Sequence, residues 1–318
     1  MHQASGRSLY GFILALVTAV LWGMLPIALK HVLADLTANT ITWIRFLVAG
    51  VFVTAVLWQQ KSLPSLQRIG KKATILLALA IAGLLSNYIL YLMGLHLLTA
   101  ETAQVVIQLA PFLMMLGGIF IFREQLLFWQ KIGASLLVFG LLLFFNDRLL
   151  MLLSFSQDSF GVLLVIIAAI TWAAYALAQK QLLLTFSSQQ IMWFIYVAGA
   201  VCFFPLVELS PVASMSTLTW CLLAFCCLNT IIAYGAFAEA LEHWEASKVS
   251  AVLAITPLLT ILFANIVSYL FPQATPAQAL NFWSIAGALL VVAGSAITAL
   301  SPLLKQHLAD KQAVYRSE

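Results

Sequence analysis

The sequence predicts an all-α integral membrane protein in which ten transmembrane helices form two inverted five-helix repeats around a central cavity. Three observations lead to this prediction. The composition is 63% hydrophobic and 8% charged, apolar runs of membrane-spanning length succeed one another, and the two halves resemble each other. Because a soluble domain carries about 25% charged residues, this composition excludes a water-soluble fold.

Charged and turn-forming residues divide the chain into ten apolar segments. Crossing the ~30 Å hydrocarbon core takes roughly 20 residues of helix, and the segments are close to this length. The predicted spans cover residues 9–29, 38–58, 73–95, 101–122, 129–146, 160–180, 188–208, 216–240, 247–270 and 280–301. We therefore divide the chain into a first five-helix repeat at 1–150 and a second at 151–318, which ends in a short tail.

The distribution of lysine and arginine predicts the orientation of the chain in the membrane. If the N-terminus is cytoplasmic, twelve of the 15 basic residues fall in cytoplasmic segments, Lys30 and Arg148 fall outside, and Arg45 lies within a span. Positively charged loop residues are retained on the cytoplasmic side. We expect a bacterial inner (plasma) membrane protein with both termini in the cytoplasm.

The two halves match when the sequence is shifted along itself. An offset of 150 residues superposes Trp22 on Trp172, and an offset of 146 superposes Pro111 on Pro257. Each half contains an odd number of spans, so the second half enters the membrane from the opposite side and the repeats are inverted. Inverted halves can rock about a shared central site, which then opens alternately to either side.

Glycines in the last span of each half predict close helix packing. Gly133 and Gly140 lie seven residues apart, as do Gly287 and Gly294, so each pair falls on one helical stripe. Small residues in such a stripe let two membrane helices approach closely. The contact lies either within one chain or between protomers, and the second alternative would give a homodimer.

Several short segments occur in an order and spacing that resemble a known family. They are Trp22-Gly23, Arg45-Phe46, Ala-Pro-Phe-Leu at 110–113, Phe-Arg-Glu at 122–124, and Gln130, Gly133 and Gly140. In these features the chain resembles the EamA-type transporters of the drug/metabolite transporter superfamily. The second repeat departs from the pattern, with Ser-Tyr-Leu-Phe-Pro at 268–272 in place of Phe-Arg-Glu. The resemblance implies an inner-membrane carrier of amino acids, related metabolites or xenobiotics. It also implies that this carrier works without an ATP-hydrolysing partner, and it favours efflux.

Polar and aromatic side chains in the predicted spans are candidates for binding the solute. The family fold implied by the resemblance places them on cavity-lining helices, and each costs free energy if it faces lipid. The candidates are Trp22, Asn87, Tyr88, Tyr91, Gln104, Gln108, Tyr175, Gln179, Asn229 and Tyr234. The alternative role for each of them is a hydrogen bond between helices.

Two prolines and two charged residues complete the candidate site. Pro111 and Pro257 each free a backbone carbonyl about four residues earlier, so they mark either helix breaks that take part in gating or plain kinks. Arg45 is either an anchor that extends outward or an electrostatic partner for an anionic substrate group. Glu101 could pair with Arg45 or stabilise the start of its own helix.

Other classes of function are disfavoured by the sequence. Lysine and arginine are scattered, which argues against nucleic-acid binding, and the four cysteines form no C-x-x-C pair. Neither H-E-x-x-H nor G-x-S-x-G occurs. We therefore expect no enzymatic activity, cofactor or metal.

The favoured interpretation is a secondary-type transporter of small organic solutes that exports them by alternating access. Its partners are then a small-molecule substrate and the lipid bilayer. The alternatives are a membrane-embedded enzyme and a non-transporting membrane subunit. None of the eleven Asp and Glu residues clearly sits at the membrane midplane, so the sequence leaves the driving force open.

Overall fold

The structure is a computed structural model and describes residues 8–64, 70–122, 127–147, 156–210, 212, 215–243, 246–271 and 280–317. The regular elements of this part of the chain are helices. They are α1 (Ser8–Val32), α2 (Ala38–Gln59), α3 (Lys71–Leu97), α4 (Ala100–Val106), α5 (Leu109–Phe122), α6 (Phe128–Phe144), α7 (Gln157–Leu182), α8 (Ser188–Phe203), α9 (Thr217–His243), α10 (Ala246–Leu253), α11 (Thr256–Leu270) and α12 (Phe282–Ser317), with a 3-10 turn at Phe204–Leu206.

Ten membrane crossings account for these helices. In the described part, eight segments are long and apolar enough to cross a membrane by length and composition, and α6 is a shorter apolar helix. The fourth crossing consists of α4 and α5, which two residues separate, and the ninth consists of α10 and α11. The prediction of a ten-helix membrane protein is confirmed. The spans predicted at 101–122 and 247–270 are each interrupted shortly before a proline, Pro111 in the first and Pro257 in the second.

Hydroxyl side chains set the starts of several helices and keep the connections short. Thr37, Thr99, Ser156 and Ser187 each accept a hydrogen bond from the backbone N–H three residues later. Such caps satisfy one of the N–H groups that the first turn leaves without a partner. Thr37 and Ser187 are 150 residues apart, so both halves begin their second span in the same way.

The packing of the helices follows the internal repeat. The fifth spans of the two halves, α6 and α12, lie along each other, and so do the second spans, α2 and α8. The third span of each half packs against the first span of the other, as α3 does on α7 and α9 on α1. Exchanging the halves converts one pair into the other. Since each half crosses five times, the two halves run in opposite senses.

The glycine stripes of α6 and α12 bring two backbones into direct contact. A Cβ on Gly140 would lie 2.8 Å from the carbonyl oxygen of Gly287 and 2.7 Å from the amide nitrogen of Val291. A Cβ on Gly294 would lie 2.5 Å from the carbonyl oxygen of Gly133. The stripes therefore pack within one chain, and the homodimer stays a prediction.

Replacing a stripe glycine tests this contact. We expect Gly140→Leu to lower the free energy of unfolding by about 1–3 kcal/mol, because the new side chain meets backbone atoms that cannot rotate away. Gly235→Leu is the matched control, since a Cβ there meets nothing within 4 Å. Thermal unfolding of the detergent-solubilised variants measures the difference, and equal melting temperatures would contradict the close contact.

Candidate functional site

A cavity of about 420 Å³ lies between the two halves of the bundle. Its walls come from α1 to α6 of the first half and from α7 and α9 to α12 of the second. Sites for small organic molecules typically measure about 300–1,000 Å³, so the cavity has the size of a solute site.

The two ends of the bundle differ. The helices α1 and α3 end at one side of the bundle, which we call the Lys30 end. At the opposite side α6 begins and α7 ends, and we call this side the Gln130 end. Gln130, Thr298 and Lys180 line the cavity at the Gln130 end, and Lys180 is exposed. The cavity therefore extends from the middle of the bundle to its Gln130 end.

Packed side chains close the Lys30 end. Leu29, Val32 and Leu95 are fully buried there and belong to the larger apolar core of the bundle. The ammonium group of Lys30 donates hydrogen bonds to the carbonyl oxygens of Leu95 (2.9 Å) and His96 (2.7 Å). These carbonyls lie in the last turn of α3, where the helix dipole favours a cation. Lys30 thus ties the end of α1 to the end of α3.

The fourth span breaks just before Pro111. Proline lacks an N–H group, so the carbonyl of Ile107 loses its usual helical partner. The amide of Ala110 donates to this carbonyl instead, at 2.9 Å, and the chain makes a tight turn before α5 begins. Pro111 lines the cavity, so the irregular backbone lies against it and not in lipid.

The ninth span breaks in the same way before Pro257. The carbonyl of Leu253, which would otherwise lose its partner, accepts a 2.5 Å hydrogen bond from the Thr256 hydroxyl. Leu253, Ala254 and Thr256 line the cavity. The structure thus places a helix break at both predicted prolines, while a role in gating stays a prediction.

One side chain joins the two breaks. The Nε2 of Gln108 donates to the carbonyl oxygen of Ala254 at 3.1 Å, and Gln108 is buried. These residues are 146 apart, which is also the offset that superposes Pro111 on Pro257. Gln108 therefore bonds to its own counterpart in the other repeat, where the two halves meet.

Aromatic rings form one wall of the cavity. Trp22 of α1 meets Tyr234 of α9 edge to face, with ring centroids 5.3 Å apart, and lies 5.7 Å from Phe237. Tyr91 donates from its hydroxyl to Oε1 of Gln104 at 3.1 Å. The wall can pack against an apolar solute, and the amide and phenol groups add polar contacts.

Arg45 lies in the interior of the bundle and is 3% exposed. Its Nε donates to the hydroxyl of Thr230 at 3.0 Å, and its guanidinium carbon lies 4.8 Å from the centre of the Tyr88 ring. Arg45 therefore does not extend to the surface, and its role toward an anionic substrate group stays a prediction. Glu101 is buried in the first turn of α4 and is not paired with Arg45. Its position is that of an acid at a helix N-terminus.

The structure brings seven of the ten predicted solute-binding residues to the cavity. They are Trp22, Asn87, Tyr88, Tyr91, Gln104, Gln108 and Tyr234. Of these, Asn87 also holds two helices together, since its Nδ2 donates to the carbonyl oxygen of Ala168 at 2.9 Å. Contact between these side chains and a solute stays a prediction.

Three predicted residues do not line the cavity. The Tyr175 hydroxyl is buried against the sulfur of Met192, at 3.4 Å, and the Nδ2 of Asn229 donates to the carbonyl oxygen of Leu21 at 2.6 Å. Gln179 is partly buried outside the cavity wall. The polar groups of Tyr175 and Asn229 serve contacts between helices, which the sequence alone does not separate from solute binding.

Sequence reasoning missed two parts of the wall. Trp172 lines the cavity, and its match to Trp22 at an offset of 150 residues was a usable signal. Ser295 and Thr298 bring α12 into the wall. Thr298 is one turn after Gly294, on the stripe that faces α6, so the glycine spacing could have identified its face.

Comparison with known proteins gives the class of this chain. The model of the EamA-like transporter family matches residues 9–146 and 159–300. The chain belongs to the EamA-like transporter family and is an integral membrane protein.

Relatives match along most of their length. An uncharacterized transporter of Haemophilus influenzae is 43% identical over 301 residues, covering 95% of this chain and 98% of that protein. The uncharacterized inner membrane transporter YhbE of Escherichia coli is 39% identical over 302 residues, covering 94% and 93%. A solved crystal structure, 17% identical, superposes with a TM-score of 0.64 over 92% of this chain and 98% of that one, which shows the shared fold.

Gln108→Leu tests the link between the two helix breaks. We expect it to lower the free energy of unfolding by about 0.6 kcal/mol, and by at most about 1.7, because the carbonyl of Ala254 loses its interhelical donor. Asn265→Leu is the control, since Asn265 is exposed and its side-chain amide donates to the carbonyl oxygen of Ile261 in its own helix. If thermal unfolding gives both variants the same stability, the link does not hold the halves together.

Proposed function

We propose that this chain is a secondary transporter that carries small organic solutes across the bacterial inner membrane by alternating access. The observation that carries the proposal is a cavity between two inverted halves that reaches one end of the bundle while packed side chains close the other. The family and the transporter names of the relatives support it. The name of the Escherichia coli relative supports the inner membrane.

The repeat suggests how the cavity opens to the other side. Lys30 ties α1 to α3 at the closed end, and its counterpart at an offset of 150 residues, Lys180, lines the cavity at the open end. The counterparts of α1 and α3 are α7 and α9. In the exchanged conformation Lys180 would reach the end of α9, and the Gln130 end would close while the Lys30 end opens.

The orientation follows from the charge distribution. With both termini in the cytoplasm, the Gln130 end faces the cytoplasm, and a solute enters the cavity from there. We propose export as the direction of transport, which the resemblance to EamA-type transporters supports. Two conformations of similar free energy suffice for the cycle, and a solute that binds both lets the protein interconvert while loaded.

The family favours a carrier over the two alternative functions. A membrane-embedded enzyme would need a catalytic set, whereas the described cavity wall carries mainly apolar, amide, hydroxyl and aromatic groups. A non-transporting subunit would not need two inverted halves that enclose a cavity. We therefore propose that the chain has no enzymatic role.

Flux measurements test the proposal and its aromatic wall. The purified protein is reconstituted into vesicles and assayed with labelled amino acids, nucleosides and drugs. For the best substrate we expect Tyr234→Ala to reduce flux at low solute concentration about tenfold, because it removes the ring that packs on Trp22. Tyr234→Phe keeps this ring and should retain most of the flux.

Tyr269→Ala is the matched control, because Tyr269 on α11 is 85% exposed and does not line the cavity. Its flux should equal that of the unmodified protein. If Tyr234→Ala transports as fast as this control, the aromatic wall does not contact the solute. If no compound of the panel moves, the transport proposal fails.

A further inference from the structure

The guanidinium of Arg45 is held in place by contacts that use only part of its hydrogen-bonding capacity. A guanidinium has five N–H donors. The Nε donates to Thr230, whose hydroxyl in turn donates to the carbonyl of Cys226 at 2.9 Å. The Tyr88 ring lies under the guanidinium carbon at 4.8 Å. These contacts fix the plane of the group from one side.

Among the described residues, the terminal nitrogens of Arg45 have no acceptor. Within the described part of the chain, no carboxylate pairs with Arg45 and no hydrogen bond involves its Nη atoms. A buried charge without a partner is costly inside a membrane, so such a residue marks a functional site. Arg45 lines the cavity, which is where an acceptor can come from.

The charged side chains that the structure describes on the cavity wall are basic. Among its described residues the ionisable side chains that are charged at neutral pH are Arg45 and Lys180, and none is Asp or Glu. The Arg45 cation in a low-dielectric cleft attracts anions and repels cations. A solute amine would find no carboxylate on the described part of this wall.

The remaining wall accommodates an apolar body. Trp22, Tyr234 and Phe237 present rings, and Leu25 and Leu92 add aliphatic surface. A planar guanidinium fork matches a carboxylate in two-point geometry. The cavity thus combines one anion-binding group with an extensive apolar surface.

We propose that this cavity binds organic monocarboxylates, with the carboxylate on the Arg45 fork and the apolar body against the Trp22–Tyr234–Phe237 wall. The assignment rests on the proposed transport function, because monocarboxylates would be the transported solutes. Binding of a monocarboxylate can nevertheless be measured independently of flux. An amino acid shares the carboxylate and carries an ammonium group in addition, for which the described wall offers no acidic partner.

A matched set of ligands tests the assignment on the full-length protein. The probes are 3-phenylpropionate, its neutral amide, the zwitterion phenylalanine and the cation phenethylamine. Binding is measured by calorimetry in detergent, and flux is measured in vesicles. We expect 3-phenylpropionate to bind about tenfold or more tightly than the amide, with phenylalanine weaker than 3-phenylpropionate and phenethylamine weakest.

Variants then test the role of Arg45. Arg45→Gln should lower the affinity for 3-phenylpropionate about tenfold or more and leave the affinity for the amide within about twofold. Arg45→Lys should recover part of the loss, because it restores the charge without the fork. Lys131→Gln is the control, since it removes the same charge at an exposed position outside the cavity wall. The ligand comparison uses the unmodified protein, so it tests the monocarboxylate assignment even if Arg45→Gln fails to fold.

The outcomes separate this inference from the transport proposal. Equal affinity for acid and amide, or preference for the amine, overturns the monocarboxylate assignment, even if one of these compounds is transported. Tight binding of the acid without flux of any compound supports the assignment and overturns transport. An absence of both binding and flux overturns both.

Discussion

The structure depends on one constraint: inside hydrocarbon, every backbone N–H and carbonyl group needs a partner within the protein. The constraint explains why the described regular elements are helices. It also explains where helices can break. The two interruptions, before Pro111 and Pro257, lie against the cavity, and Ala110, Thr256 and Gln108 supply donors to carbonyls at the breaks.

The inverted repeat brings the two helix breaks together at one site. Because the halves are copies of opposite orientation, the two breaks meet at the same depth, and Gln108 of one half reaches Ala254 of the other. Glycine contacts between α6 and α12 also hold the halves together, beside the part of the cavity wall that Thr298 forms.

Much of this was accessible from the sequence, because its signals are compositional or periodic. Span number, the repeat and both helix breaks follow from hydropathy, rare-residue matches and paired prolines. The partners of individual polar residues do not. Tyr175 and Asn229 look like Tyr88 and Asn87 in sequence, yet only the latter pair lines the cavity. The packing of the helices decides which face of each helix is turned inward. Because the spans carry few charged residues, the sequence gives little amphipathic signal from which this face can be predicted.

The sidedness of the two halves tests the central claim most directly. Single cysteines at Gln60 and Leu184 mark the Gln130 end in the first and second repeats, and one at exposed Leu209 marks the Lys30 end. They are introduced into protein whose four native cysteines are replaced by serine and probed with a membrane-impermeant thiol reagent. The account predicts that the first two react only from the cytoplasmic face and the third only from outside. Reaction of Gln60→Cys and Leu184→Cys at opposite faces would contradict it.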